Sequence, residues 1–213
     1  MSSPTTTEKL KAFFDPYMEV PIEAWMPFAN LLTSKSFKKN EVLKASFHAE
    51  KNLHLIIKGS AGLFVFKDGH DICIDLCYEG EFTGDYYSLL QQGINSQAPA
   101  KNEEMSAVLH LESPIYVMAL EPLETLSIGK NDLFNLYNQS EFGNRMARMV
   151  SELLYLQKQY QQIELLTQTA EQRYLNLLEK HPLIIQRTAA KHLASYLGIT
   201  PESYSRMQKK LIK

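Results

Sequence analysis

The chain has 213 residues, 45% of them apolar, with 22 Lys+Arg against 24 Asp+Glu and a formal net charge of −2. That length suits one large domain or two small ones with a real core. No run of about 18 apolar residues occurs, and the start MSSPTTTEKLKAFF has neither a basic nor an apolar leader region, so neither a membrane span nor a signal peptide is expected and the protein reads as cytoplasmic.

The small net charge hides an uneven distribution. Residues 1–140 hold 11 basic and 18 acidic side chains (−7), residues 141–167 hold 3 and 3, and residues 168–213 hold 8 and 3 (+5); every arginine lies after residue 144. Such a division suggests an acidic sensing body that carries a basic contact module.

In chain order, TEKLKAFFDPY and IEAWMPFANLL read as short N-terminal helices. From about Phe37 to Ile128 the pattern is β: NLHLIIKGSAGLFVF and HDICIDLCYEGEF alternate and flank Asp68-Gly69, a strong hairpin signal. Two further short runs meet at Glu121-Pro122. Short strands at this spacing predict a small barrel or a jelly roll. Cys73 and Cys77 lie four apart in one strand, so both are expected on one face, too far apart for a disulfide and short of two ligands for a metal centre; they read as buried structural thiols. The stretch Gly93 to Met105 is polar and aperiodic, and reads as a loop beside the mouth of the barrel.

From Glu141 to Leu166 the period changes. Phe142, Met146, Met149, Leu153, Leu156, Tyr160 and Ile163 are spaced alternately four and three apart, an a/d seam on a helix of about 37 Å. A helix buried against its own barrel would show a similar but wider stripe. The strict 3.5 spacing favours a partner helix and hence a homodimer.

Thr169 and Gln172 fit a capping box that opens a new helix, with Tyr174, Leu175 and Leu178 on its apolar face, and His181-Pro182 ends it. Another helix begins near Thr188 or Ala189. In LASYLGITPESYSRM, Leu193 and Leu197 pack inward, Ala194 permits close approach, Gly198 supplies a positive φ, and Thr200 caps a final helix that begins at Pro201. Two helices joined by about three residues form a helix-turn-helix, whose second helix enters a major groove. Tyr204, Met207 and Leu211 face inward. Thr200, Glu202, Ser203, Ser205, Arg206, Lys209 and Lys210 are left for DNA: Glu202 can accept from cytosine, Arg206 can pair with guanine, and Lys209, Lys210 and Lys213 suit phosphates. A surface ion pair between Glu202 and Arg206 is the competing reading of that spacing.

With these motifs in place, the chain resembles the Crp/Fnr family of transcription regulators from about residue 20 to its end. The closest match is LASYLGITPESYSRM; IIKGSAGLFVF and GEFTGDYYSLL match the family's sensor strands less specifically. The resemblance implies an α+β protein: an N-terminal double-stranded β-roll (residues 1–140), a long dimerisation helix (141–166) and a C-terminal winged-helix-like helix-turn-helix domain (167–213), with little room for the wing itself in HPLIIQRTAA. It implies a homodimer on a roughly palindromic DNA site, with RNA polymerase as a further partner, and places Glu202 and Arg206 on the family's base-reading positions. Pro201 stands where some members have a third contacting arginine. An effector pocket would fall at Gly80, Glu81, Gly84, Asp85 and Ser113. Ser113-Pro114, however, replaces the arginine and hydroxyl pair that neutralises a cyclic phosphate, and a buried phosphate without a cation is costly, so cyclic AMP in its usual pose is not expected.

No cofactor, metal site or catalytic residue is expected either. His48, His54, His70 and His110 are scattered rather than paired as H-x-H, and no nucleophile elbow, Walker loop or dinucleotide-binding motif occurs. The alternative to a DNA-binding regulator is a small-molecule sensor with a vestigial DNA end.

Overall fold

The computed structural model describes residues 5–94 and 112–211. Two N-terminal helices, α1 (Thr6–Phe14) and α2 (Met26–Leu31), precede eight strands: β1 (Thr33–Phe37), β2 (Val42–Lys44), β3 (Asn52–Lys58), β4 (Ala61–Lys67), β5 (His70–Cys77), β6 (Phe82–Thr83), β7 (Ile115–Ala119) and β8 (Leu123–Gly129). Helix α3 (Tyr86–Ile94) lies between β6 and β7. The strands form two antiparallel four-stranded sheets, β1-β8-β3-β6 and β2-β7-β4-β5. Successive strands such as β7 and β8 belong to different sheets, as a jelly roll requires.

The hairpin at Asp68-Gly69 forms as the sequence predicts. Both residues have positive φ, 51° and 85°, which gives the two-residue turn whose twist matches the flanking strands. Of the loop read at Gly93 to Met105, Gly93 and Ile94 close α3, and the remainder lies outside the described residues.

Alternation along the strands divides the apolar residues into three layers. Between the sheets lie Ile56, Ala61, Leu63, Cys77, Val117, Ala119 and Leu123. On the outer face of the first sheet, Leu53, Leu55 and Ile128 pack with Leu10, Phe14, Trp25 and Phe28 of the N-terminal region and with Leu133, Leu136 and Met146 from further along the chain. On the outer face of the second sheet, Phe64, Cys73 and Leu76 share a core with the C-terminal residues Tyr174, Leu177, Ile184, Leu193, Leu197 and Tyr204. The roll is thus covered on both sides by helices, and its C-terminal cover is the helix-turn-helix.

Cys73 and Cys77 are both buried free thiols, but they do not share a face. Leu63 pairs with Asp75 and Phe64 with Cys73, so Ile74 is an extra residue. This bulge inverts the alternation: Cys77 points between the sheets and Cys73 toward the C-terminal helices. Burial raises the pKa of both thiols well above the ordinary range, which suits inert packing groups.

After β8 come α4 (Lys130–Gln139) and the long helix α5 (Glu141–Thr167). Ser140 caps α5 by accepting from the Gly143 amide. Then follow α6 (Ala170–Lys180), with the expected Thr169/Gln172 capping box, α7 (Ile184–Arg187), α8 (Ala190–Tyr196) and α9 (Pro201–Leu211). Among the described residues 168–211 there is no strand: the four-residue helix α7 stands where a wing hairpin would precede the helix-turn-helix.

Candidate nucleic-acid interface and sensor interior

Local rules build the corner between α8 and α9. Gly198 has φ 68°, the Ile199 amide reaches back to the Ala194 carbonyl at 3.0 Å and the Gly198 amide to Ser195 at 3.0 Å, the closing pattern of a helix that ends on a left-handed residue. Thr200 Oγ1 accepts from the Ser203 amide at 3.2 Å, with Pro201 as the first helical residue. Leu193, Ala194, Leu197 and Tyr204 are buried, and Met207 and Leu211 pack against them. Tyr204 also meets Tyr174 edge-on at 5.7 Å. On α6 the burial differs from expectation: Leu177 is buried with Tyr174, while Leu175 faces solvent, because Tyr174 and Leu177, three apart, share the face turned to the C-terminal core.

With the inward stripe fixed, Glu202, Ser205, Arg206, Lys209 and Lys210 lie exposed on α9. No ion pair joins Glu202 to Arg206 among the described residues; Arg206 Nη2 instead donates to Ser203 Oγ at 3.3 Å. The carboxyl of Glu202 is held below its ordinary pKa, first by a backbone hydrogen bond and then by the Thr200 hydroxyl. It is therefore an ionised acceptor at the front of the helix. Thr200 and Ser203 are occupied as cap and brace, and serve the corner itself. Lys210 pairs with Glu171 at 2.9 Å; both side chains are well exposed, so this contact is weak.

The other cations of the region are engaged internally. Arg173 donates to the carbonyls of Gln168 and Leu197 at 2.6 Å each, Lys180 lies 5.5 Å from the centre of the Tyr160 ring, and Arg187 binds two glutamates of the roll. Among the described residues of this region, Lys191, Arg206, Lys209 and Lys210 face outward.

The proposed dimer seam is divided. Met146, only 1% exposed, belongs to the protein's own core, with Phe142 and Met149 packed beside it; Phe142 meets Trp25 edge-on at 5.0 Å. Met146 is thus unavailable to a partner, a correction to the seven-residue seam. Leu153 is half-buried. Beyond it the stripe is open: Leu156 is 61% exposed, and Tyr155, Tyr160, Ile163, Leu165 and Leu166 are likewise uncovered.

The residues read as an effector pocket separate into two places. Asp85 and Ser113 are buried and come together through Lys44, a residue the sequence reading missed. Its ammonium lies 2.7 Å from Asp85 Oδ2, 2.6 Å from the Ile115 carbonyl and 3.5 Å from that of Ser113. Gly84 adjoins this cluster: the Glu50 carboxylate accepts from the Asp85, Lys51 and Asn52 amides, and burial raises its pKa despite these bonds. Gly80 and Glu81 lie elsewhere. Gly80 is exposed, and Glu81 accepts from the Tyr78 amide at 2.8 Å and faces His181 at 3.7 Å, so both belong to the boundary with the C-terminal helices.

The histidines do not converge. His54 is buried, with Nδ1 2.6 Å from Ser127 Oγ; His48 and His70 are exposed, and His110 lies outside the described residues. No group of three or more metal-binding side chains occurs among the described residues, and none of their helices is long and apolar enough to cross a membrane.

No family model matches the chain, and no curated protein matches it in sequence. Solved structures do match. A protein from Eubacterium rectale assigned to the Crp/Fnr family of transcriptional regulators has a TM-score of 0.64 at 12% identity, over 93% of this chain and 87% of that one. FixK2 from Bradyrhizobium japonicum has 0.62 at 14% identity over 84% of each chain. The c-di-GMP-responsive global regulator CLP of Xanthomonas campestris has 0.59 at 16% identity, over 90% of this chain and 91% of that one. The fold, from roll to helix-turn-helix, is that of the Crp/Fnr regulators.

Proposed function

We propose that the protein is a dimeric, sequence-specific DNA-binding transcription regulator. The observation that carries this reading is the corner at Gly198: it seats α9 on a core of Leu193, Leu197 and Tyr204 while Glu202, Ser205, Arg206 and Lys209 remain exposed along the helix. Arg206 would read guanine and Glu202 an amino group; Lys191 and Lys209 would meet phosphates. The apolar stripe from Leu156 to Leu166 supports pairing with a second copy, which a palindromic site requires.

Cyclic AMP in its usual pose is not the effector on this reading. The interior does contain a cation, contrary to the expectation drawn from its missing arginine. Asp85 already holds that cation, Lys44, at 2.7 Å. A cyclic phosphate would have to evict a buried carboxylate, leaving a second anion without a partner.

Fluorescence anisotropy tests the reading, comparing a duplex selected from a random library with its scrambled form, across a salt series, with and without cyclic AMP. Preference for the selected duplex that is indifferent to cyclic AMP is the expected result. Two phosphate-facing lysines per copy give a dimer a log–log salt slope of about −4. Absence of any preference at every salt concentration overturns it in favour of a small-molecule sensor with a vestigial DNA end.

A further inference from the structure

The segment between α6 and α8 makes its interdomain polar contacts with the roll, and these converge on one socket. Arg187 reaches Glu79 with two parallel hydrogen bonds, 2.8 Å and 2.7 Å, and Glu121 Oε1 at 2.6 Å and 3.1 Å. Its guanidinium also lies 5.5 Å from the centre of the Tyr78 ring. The buried Tyr78 hydroxyl is 2.7 Å from Thr188 Oγ1, and the His181 ring lies 4.5 Å from that of Tyr78.

The roll holds the acceptors in place before the arginine arrives. The Gly59 amide donates to Glu79 Oε1 at 2.8 Å and Ser60 Oγ to Glu121 Oε1 at 2.7 Å. One guanidinium thus joins three separate turns of the roll to the start of the helix-turn-helix. A second clamp lies along β5, the edge strand: the Cys73 amide, beside the Ile74 bulge, donates to Ser195 Oγ at 2.8 Å, and that hydroxyl donates to the Asp71 carbonyl at 3.2 Å. Forked geometry makes an arginine–carboxylate contact directional as well as strong, so the socket fixes an angle and not merely a distance.

We propose that Arg187 is a positioning residue for DNA reading: seated between Glu79 and Glu121, it sets the angle at which α9 leaves the roll and hence the half-site spacing that the dimer accepts. This rests on the DNA-binding reading above. Arg187 spends its charge on the roll and contacts no phosphate. The affinity of one α9 for one half-site is independent of it; the geometry relating two half-sites is not.

The experiment uses the full chain as wild type, Arg187→Ala, Arg187→Lys, and Glu79→Gln/Glu121→Gln, which alters no residue of the helix-turn-helix. Binding is measured on the selected palindrome, on the same palindrome with its half-sites moved apart by one or two base pairs, and on a single half-site. Hydrogen exchange at the amides of Cys73 and of Leu193 to Leu197 is followed without DNA. Loss of a forked charged contact is expected to cost about tenfold on the correctly spaced palindrome. It should shrink the preference over the shifted one and leave the single half-site unchanged. Arg187→Lys, which keeps the charge without the fork, should recover only part of the spacing preference. Exchange should quicken in both the Arg187 and the glutamate variants.

Spacing preference that survives in folded Arg187→Ala and in the glutamate pair overturns the proposal, as does an equal loss on the single half-site, which would make Arg187 a phosphate contact. A wild-type chain that ignores DNA in every arm removes the DNA-binding reading and the spacing role with it. In that case, quickened exchange would still assign the docking of the two regions to Arg187, so the two failures are distinguishable.

Discussion

The interior of the roll and the exposed face of α9 each carry opposite charges close together, under opposite conditions. In the roll, Lys44 and Asp85 are almost fully buried and 2.7 Å apart, so each is the charged partner that offsets the other's loss of water. On α9, Glu202 and Arg206 sit one turn apart, exposed to water and not paired with each other. Buried charges bound to each other stiffen a fold, whereas solvated charges on a firmly packed helix remain available to a partner.

The buried pair should give the largest effect when that contrast is broken. Asp85→Ala leaves an ammonium without its carboxylate and is expected to lower unfolding free energy by about 3–5 kcal/mol, while Lys44→Met/Asp85→Leu recovers most of it. Urea denaturation of the three proteins measures this, and equal losses in the single and double variants would contradict it.

His54 comes next. Burial, with a smaller contribution from Lys35, lowers its pKa from 6.5 to about 4. The folded state therefore prefers the neutral ring: this stability is present above pH 6.5 and is lost as pH falls through about 4. The full shift corresponds to about 3 kcal/mol. Stability curves between pH 7 and 4 should be flatter for His54→Gln, and parallel curves would remove His54 as the cause.

The exposed face should respond by sequence instead of by stability. Arg206→Ala is expected to cost about 1–3 kcal/mol at one base position with an unchanged urea midpoint; equal losses on selected and random duplexes would end its base-reading role. Lys209→Ala should give a smaller effect, a similar weakening on all sequences and a salt slope shallower by about one for each lysine lost.

Features governed by neighbouring residues were legible in the sequence. The Asp68-Gly69 hairpin, the Thr169 capping box and the Gly198–Pro201 corner each depend on backbone preferences within about four positions. Features that join distant parts of the chain were not. Lys44 meets Asp85 41 positions on, and no periodicity links them. Arg187 looked like another positive charge of a basic module, because composition does not say which cations are already bound. The seam on α5 gave the helix and its apolar stripe, but spacing alone does not say that Met146 faces its own roll while Leu156 faces outward.

The bulge at Ile74 acts as a phase slip in β5. If Ile74 were instead paired in plain alternation, Cys73 would point with Cys77 into the space between the sheets. One unpaired residue lets Cys73 join Leu76 on the face turned to the C-terminal helices, with its amide offered to α8, while Cys77 seals the sandwich. Deleting Ile74 would spare the hairpin turn, whose residues lie upstream. It would bring Cys73 next to Asp75 and leave it opposite Phe64, so the face that packs on the C-terminal helices would remain and only the slack beside the Cys73 amide would be lost.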